Sequence, residues 1–302
     1  MGTSSSFGGG KGKNPMIPSW LSSEKTDIPI SKVNLIASKD DNKPQQTSDP
    51  KDKPYDILKP ESIIVDPATI VLGDNSRFKQ SRANFTRYVS SGGKNRSALK
   101  KGISSYIKNS YKGAKQASKR MAVSKITASK FVSFFIEAST QGFQATLQKY
   151  NLSNLQGLPL DQAYIALVDE FCKSDGKIDN AISRDAYLFT VEALENASML
   201  DKLEKPSESV ILFMLKNFMV LSIKNRLLED VGQSIFLDGK DPSVIQYIEI
   251  QIKDFIGMAV DDVISKFQNN SAISDITKEM DSLYEASYSM LELIANEEED
   301  DE

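Results

Sequence analysis

The sequence predicts an all-α protein in which a multi-helix body follows a disordered N-terminal leader. From residue 76 onward, apolar residues recur every three or four positions, which is the spacing of amphipathic helices. Glycine and proline interrupt this pattern where helices should end. Residues 248–252 alternate between apolar and polar as a strand would, but the residues around them fit a long helix, so length favours the helix.

The leader spans residues 1–75. It contains eight prolines and a glycine-rich start, and this composition buries too little apolar surface to offset the entropy lost on ordering. Two apolar islands interrupt it, residues 16–21 with the only tryptophan, Trp20, and residues 63–72. We expect these islands to dock, either on the chain's own helical body or on another protein.

Residues 76–130, named here the basic segment, contain 15 Lys or Arg and no Asp or Glu. The spacing predicts a helix from Ser76 to a Ser-Gly-Gly turn at 91–93, a second capped by Ser97, and a third over 114–125 after a break at 111–113. In this predicted helical module, the Lys and Arg side chains lie on the side of each helix opposite its apolar face. The candidates for binding nucleic acid or an acidic partner are Arg77, Arg82, Arg87, Lys100, Lys101, Lys108, Lys112, Lys115, Lys119 and Arg120.

Residues 131–296 are predicted to form an acidic helical bundle. Helices are expected over 131–150, 160–172, 178–196, 207–230, the stretch opened by the N-cap pair Asp241-Pro242, and 274–295. From residue 131 to the end, 31 acidic residues face 13 basic ones. The last six of these acidic residues, 297–302, are consecutive and predict a solvated tail.

The charge split leaves two interpretations of the basic segment open. Its charge of +15, against −18 for residues 131–302, suits the neutralisation of nucleic-acid phosphates, and its interleaved Phe and Tyr could stack on bases. Helical spacing places most of those aromatic rings in the core, however. The cations could then serve protein surfaces instead, of this chain or of a partner.

The composition disfavours catalysis and metal binding. The chain has no histidine, which is the usual general base and a common metal ligand. Its one cysteine, Cys172, lies in an apolar helical pattern typical of a buried small hydrophobe. Residues 8–13 and 175–178 lack the flanking residues that a phosphate loop or a calcium loop needs. We therefore predict no catalytic residue, no metal and no enzymatic activity.

The hydropathy pattern predicts a cytoplasmic protein that does not enter a membrane. No run of 18 apolar residues occurs, and the N-terminus lacks the apolar region of a signal peptide. Residues 1–6 (MGTSSS) fit the short pattern for N-myristoylation, a weak signal. Physically, the pattern predicts an unhindered glycine amine at Gly2 once Met1 is removed, either left unmodified or accommodated by an enzyme that modifies N-termini.

Several short stretches resemble the QatB proteins of the Qat antiphage systems. Two lie in the leader, residues 1–9 (MGTSSSFGG) and 15–20 (PMIPSW). The others lie in the basic segment: residues 77–78, 81–83 and 117–121 (ASKRM), together with Leu99 and Tyr106. The resemblance covers roughly the first 130 residues.

The resemblance implies a non-enzymatic antiphage component that works beside a QueC-like enzyme (QatC-like), an ATPase (QatA-like) and, as a further partner, a TatD-like nuclease (QatD-like). It implies no bound cofactor, but a covalent deazaguanine on Gly2, added by the QueC-like enzyme. Under this interpretation the leader also carries the partner-docking residues, which are Phe7, Gly8, Gly9, Pro15, Ile17, Pro18, Trp20 and Leu21. The alternative is a nucleic-acid-binding adaptor that uses the basic segment.

Overall fold

The computed structural model describes residues 75–232, 234–237 and 241–296, all within one unit that spans Val71–Glu302. Every regular element in these residues is a helix, which confirms the all-α prediction. None of the helices in the described ranges is long and apolar enough to cross a membrane. Residues 1–74 of the leader and the acidic tail lie outside the described residues.

The basic segment forms a short 3₁₀ turn and several helices. Their bounds are Asn75–Phe78 (3₁₀), α1 Lys79–Ser90, α2 Arg96–Ser105, a π-helix Tyr106–Ser110 and α3 Ala114–Lys119. The Ser-Gly-Gly turn is confirmed, and Gly92 and Gly93 have positive φ there. Ser97 as a cap is wrong, because the side chain of Asn95 accepts the Ala98 N–H at 2.9 Å and caps α2.

Helix α4 covers Ala122–Gln141 and corrects two predicted boundaries. The predicted helix 114–125 breaks at Arg120–Met121, and the predicted helix 131–150 begins nine residues earlier, at Ala122, and breaks at Gly142. Gly142 has φ 87° and ψ 159°, a backbone region open only to glycine, so α5 starts afresh at Phe143–Lys149. The boundary at residue 130 between the basic segment and the acidic bundle therefore falls inside one helix.

The acidic half continues as seven further helices within the described residues. They are α6 Leu160–Ala166, α7 Val168–Phe171, α8 Ile178–Asn196, α9 Glu208–Val231, α10 Ser234–Leu237, α11 Pro242–Asn270 and α12 Met280–Asn296. The predicted helix 160–172 is divided at Leu167, and the last helix begins at Met280, after a 3₁₀ turn at Ile273–Asp275, instead of at 274. The Asp241-Pro242 start of α11 is confirmed, since the Asp241 side chain accepts the Ser243 N–H at 2.8 Å.

Helix α9 lies at the centre of the body, in contact with α4, α8 and α11. Helix α12 packs against α11 and also against α2 and α3 of the basic segment. Aromatic rings concentrate around α4, where they pack against rings of α5 to α9. The Phe131 and Phe218 ring centroids, for example, are 5.0 Å apart in an edge-to-face pair. One continuous hydrophobic core includes residues of both the basic segment and the acidic half.

Candidate interaction surface of the basic segment

The basic segment buries its apolar faces and exposes most of its cations. Phe85, Leu99 and Ile103 are buried, as the helical spacing predicts. Ala83, which belongs to the same pattern, is exposed. Seven of the ten predicted binding cations are exposed: Arg77, Arg87, Lys101, Lys108, Lys112, Lys115 and Lys119. The remaining three, Arg82, Lys100 and Arg120, are half-buried.

Arg82 binds the C-terminal end of α9. Its Nε donates to the carbonyl of Val231 at 2.7 Å, and its Nη2 donates to the carbonyl of Asp230 at 3.2 Å. The last carbonyls of a helix have no intrahelical donor and carry partial negative charge, so a guanidinium stabilises them. This contact joins α1 to the acidic half of the chain.

Asp230 receives two tyrosine hydroxyls from the basic segment. Tyr106 donates to its Oδ2 at 2.8 Å, and Tyr111 donates to the same oxygen. Burial, and then the carboxylate of Asp230, raises the pKa of Tyr106 well above its usual range, and the same two causes raise the pKa of Tyr111. Both hydroxyls therefore stay protonated and act as donors.

The π-helix explains why these two tyrosines meet one oxygen. In an α-helix, residues five positions apart point about 140° away from each other. The wider π-turn over Tyr106–Ser110 takes up one more residue per turn and brings positions 106 and 111 to the same side. Their rings pack edge to face, with centroids 5.1 Å apart.

Arg226 lies behind Asp230 with a side chain only 3% exposed. It pairs with Asp179, and its Nη1 lies 3.8 Å from Oδ1 of Asp230. Burial alone would lower the pKa of Arg226, but the two carboxylates outweigh it and raise that pKa. Arg120 of the basic segment also approaches Asp179, at 3.7 Å. We call these residues, with Tyr106 and Tyr111, the Asp230 network.

Residues 113–291 match the family described as the Qat anti-phage system associated protein QatB. This match spans more than half of the chain. The chain belongs to the QatB family. It is therefore a component of the Qat anti-phage system. No curated protein and no solved structure matches the chain.

The QatB match covers a different part of the chain from the sequence resemblance. The two overlap only over residues 113–130, so the acidic half, rather than the leader, carries the family match. Asp179, Arg226 and Asp230 lie within the matched residues, whereas Tyr106 and Tyr111 precede them. The Asp230 network thus joins the QatB-matched helices to the helices that come before them.

The structure divides the predicted cations of this QatB-family member into two sets. Arg82 and Arg120 contact acidic or carbonyl groups of the chain itself. The Nζ atom of Lys108 also lies 3.8 Å from Oε1 of Glu292, a residue of α12. The exposed lysines at 101, 112, 115 and 119 remain as the solvent-facing part of the predicted surface. Gly2, Trp20 and the other predicted leader residues lie outside the described residues.

The sequence predictions missed the acidic side of the Asp230 network. A signal was present, because Arg226 follows Phe218 by eight positions and so falls on the apolar stripe of α9. A charged residue on a buried stripe needs a partner. The identity of that partner, Asp179 on α8, depends on how the helices pack, so the local sequence pattern does not predict it.

Two classes of reactive site can be examined in the described residues, a nucleophilic thiol and a metal-binding cluster. Cys172 is buried, and burial raises the pKa of its thiol to about 11, so it is not a thiolate at neutral pH. No group of three or more acidic or cysteine side chains in the described ranges could hold a metal ion. What the basic segment offers is a set of exposed cations on helices whose apolar residues belong to the common core.

Proposed function

We propose that this QatB-family member is a non-enzymatic partner protein that presents Gly2 to the QueC-like enzyme of the Qat system and binds its ATPase. Family membership carries the proposal, because it assigns the chain to a multi-component defence system. The N-terminal sequence supports the role of Gly2, since a small second residue allows removal of Met1 and leaves an amine with no side chain beside it. The absence of histidine supports a role other than catalysis.

Intact-mass measurement of the full chain, co-expressed with the QueC-like enzyme, tests this role of Gly2. The expected product lacks Met1 and is heavier by one deazaguanine group. Gly2→Ala should still lose Met1 but accept less of the group, because a methyl now crowds the amine. Gly2→Leu should retain Met1 and accept none. Ser6→Ala is the matched control and should be modified like the original chain.

Two outcomes would contradict the proposal for Gly2. One is a mass equal to that of the methionine-free chain, with no added group, in the presence of the active enzyme. The other is full protection of bacteria from phage by the Gly2→Leu chain. In either case the leader is not a modification site.

We also propose that the leader residues around Trp20 dock on a partner of the system. A lone tryptophan in a polar stretch supplies a large apolar area in little sequence. Trp20→Ala should therefore weaken co-purification with the ATPase or the QueC-like enzyme and leave the melting temperature unchanged. A lowered melting temperature with unchanged co-purification would instead assign Trp20 to the fold.

Nucleic-acid binding is the second candidate function, favoured by the exposed lysines of the basic segment. Lys101, Lys115 and Lys119 are all exposed, and the segment that carries them has no acidic residue to oppose phosphate. An adaptor of this kind would depend on these lysines and not on Gly2. The two candidate functions therefore respond to different substitutions.

A further inference from the structure

A groove runs between the C-terminal part of α11 and α12, far in sequence from the leader and from the exposed lysines. Its apolar lining consists of Val263 and Phe267 of α11 and Leu283, Met290 and Leu293 of α12. Val263, Phe267 and Leu283 are buried, Met290 is half-buried and Leu293 is exposed. The groove has a volume of 820 Å³ and is open to solvent along much of its length. Leu293, which lies at one end, is 55% exposed. An apolar surface left open between two helices is a typical site for a third helix.

The rim of the groove is acidic. Asp262, Glu279, Asp281 and Glu285 line it, and Lys266 is its one lining cation among the described residues. Lys266 lies 2.7 Å from Asp262 and so balances that carboxylate. Glu279 and Glu285 have no ion pair with another described residue.

Asp281 has a cation of its own beneath the groove. Lys125 of α4 is buried, and its Nζ lies 2.7 Å from Oδ1 of Asp281. This pairing satisfies a buried ammonium, so Asp281 serves the fold. The negative charge available to a ligand thus comes from Glu279, which directly precedes α12, and from Glu285 of α12, both of which line the groove.

The surrounding sequence reinforces this charge. Residues 241–296, which contain α11 and α12, include 10 acidic and 3 basic residues, which gives a net charge of −7. An acidic field of this size repels acidic segments and raises the rate at which basic ones associate. Charge complementarity therefore selects a basic occupant for the groove.

We propose that the α11–α12 groove binds an amphipathic helix of a partner protein, whose apolar stripe lies between lysine or arginine residues. The eleven residues from Leu283 to Leu293 are separated by ten helical rises and so span about 15 Å, or nearly three helical turns. Apolar residues at i, i+3 or i+4, i+7 and i+11 of the partner helix match that length. The open shape suits a helix better than a small molecule, which needs to be largely enclosed.

Two fluorescent synthetic peptides of about four helical turns test the proposal with the full chain. Both carry the same leucine stripe, flanked by lysines in one peptide and by glutamates in the other. The lysine peptide should bind at least about tenfold more tightly at low salt, as measured by fluorescence anisotropy. Equal binding of the two peptides, or binding of neither, would overturn the proposal.

Leu293→Asp is the decisive variant, and Ile178→Asp is its matched control. Both residues are apolar and 55% exposed, but Ile178 begins α8 and is not part of the groove. Leu293→Asp should weaken binding of the lysine peptide by about tenfold or more, whereas Ile178→Asp should leave it unchanged. Equal effects of the two substitutions would show that the peptide binds elsewhere, and the proposal would fail.

A photo-crosslinking residue at position 293 identifies other occupants. Without peptide, the chain should yield no crosslinked product, and added lysine peptide should be captured. A crosslinked dimer would show that a second copy fills the groove, and a crosslink within one chain would show that its own residues do. Either result overturns the proposal. None of these outcomes depends on Gly2, so failure here leaves the proposed function untouched.

Discussion

Asp230 is the residue whose loss should disturb the most contacts at once. Replacement by alanine leaves the buried hydroxyls of Tyr106 and Tyr111 without their acceptor and removes one of the two carboxylates beside Arg226. Buried donors without an acceptor are costly, and so is a buried cation that loses a partner. We expect Asp230→Ala to lower the free energy of unfolding by about 3 kcal/mol, measured by urea denaturation.

Two further variants control for the loss of Asp230. Asp230→Asn keeps one acceptor oxygen for the tyrosines but turns an amide N–H₂ toward Arg226, so we expect a smaller cost of about 1–2 kcal/mol. Asp275→Asn removes an exposed carboxylate, 2.9 Å from Lys278, and should cost less than about 0.5 kcal/mol. Equal costs for Asp230→Ala and Asp275→Asn would show that the Asp230 network does not stabilise the fold.

At the residue scale, the sequence predicts burial better than it predicts partners. Phe85, Leu99 and Ile103 are buried as their spacing requires, because burial depends on a local periodicity. The sequence leaves open whether Arg82 serves this chain or a partner, and the structure shows it bound to the end of α9, some 148 residues further along the chain. Only the packing of distant helices decides such a contact.

Gly142 and Gly257 provide a matched pair of glycines at the scale of single helices. Gly142 separates α4 from α5 with φ 87°, and a Cβ there would meet nothing closer than a carbonyl at 3.9 Å. Gly257 lies inside α11, and its Cβ would meet nothing within 4 Å. The two sites therefore differ in backbone conformation and not in the room available for a Cβ atom.

We expect alanine to have opposite effects at these two positions. Gly142→Ala should destabilise the protein by about 1–2 kcal/mol, because alanine avoids this backbone region. Gly257→Ala should stabilise it by about 0.5–1 kcal/mol, because alanine is the better helix former. Thermal and urea unfolding measure both. The same sign for both substitutions would contradict the backbone argument.

Asp241 links the stability of α11 to pH. Hydrogen bonds from the Ser243 hydroxyl, at 2.6 Å, and from its backbone N–H hold the pKa of this carboxyl below its usual range. A carboxyl with a lowered folded pKa stabilises the fold above its unfolded pKa of about 3.9, and this contribution disappears as the pH falls through the folded pKa.

We therefore expect Asp241→Ala to lower the urea midpoint at pH 7 and to have a much smaller effect once the pH is well below about 4. Asp241→Asn should keep most of the cap at both pH values, because its side-chain oxygen still accepts the Ser243 N–H. A difference between the original chain and Asp241→Ala that does not change with pH would argue against the ionised cap.

The existence of the longer helices was predictable, although the short α10 at Ser234–Leu237 was not predicted. Helix boundaries were predictable only where the chain carries a strong local signal. Asp241-Pro242 is such a signal, since an acceptor side chain and a proline act within one turn. The π-helix at Tyr106–Ser110 has none, because what holds it is the meeting of two tyrosines with Asp230 of α9. Tertiary contacts there outweigh local preference.

At the scale of the whole molecule, charge and packing divide the chain differently. The boundary at residue 130 follows charge, but α4 crosses it and the hydrophobic core is continuous on both sides. A fragment of the basic segment alone would expose apolar faces that the acidic half now covers. Tests of its cations therefore require the full chain.

The exposed lysines of the basic segment should control any binding of nucleic acid by the full chain. Changing Lys101, Lys115 and Lys119 together to glutamine keeps helix propensity and removes three charges. Each neutralised phosphate adds about 0.9 to the slope of log affinity against log salt, so the triple variant should lose up to about 3 units of slope on duplex DNA.

A matched triple variant controls for the loss of net charge. It changes Lys173, Lys202 and Lys205 to glutamine, which removes equal charge from exposed sites outside the segment, and it should leave the slope unchanged. Equal loss in both triples would show that only net charge matters, and salt-insensitive binding by the original chain would exclude the phosphate interpretation.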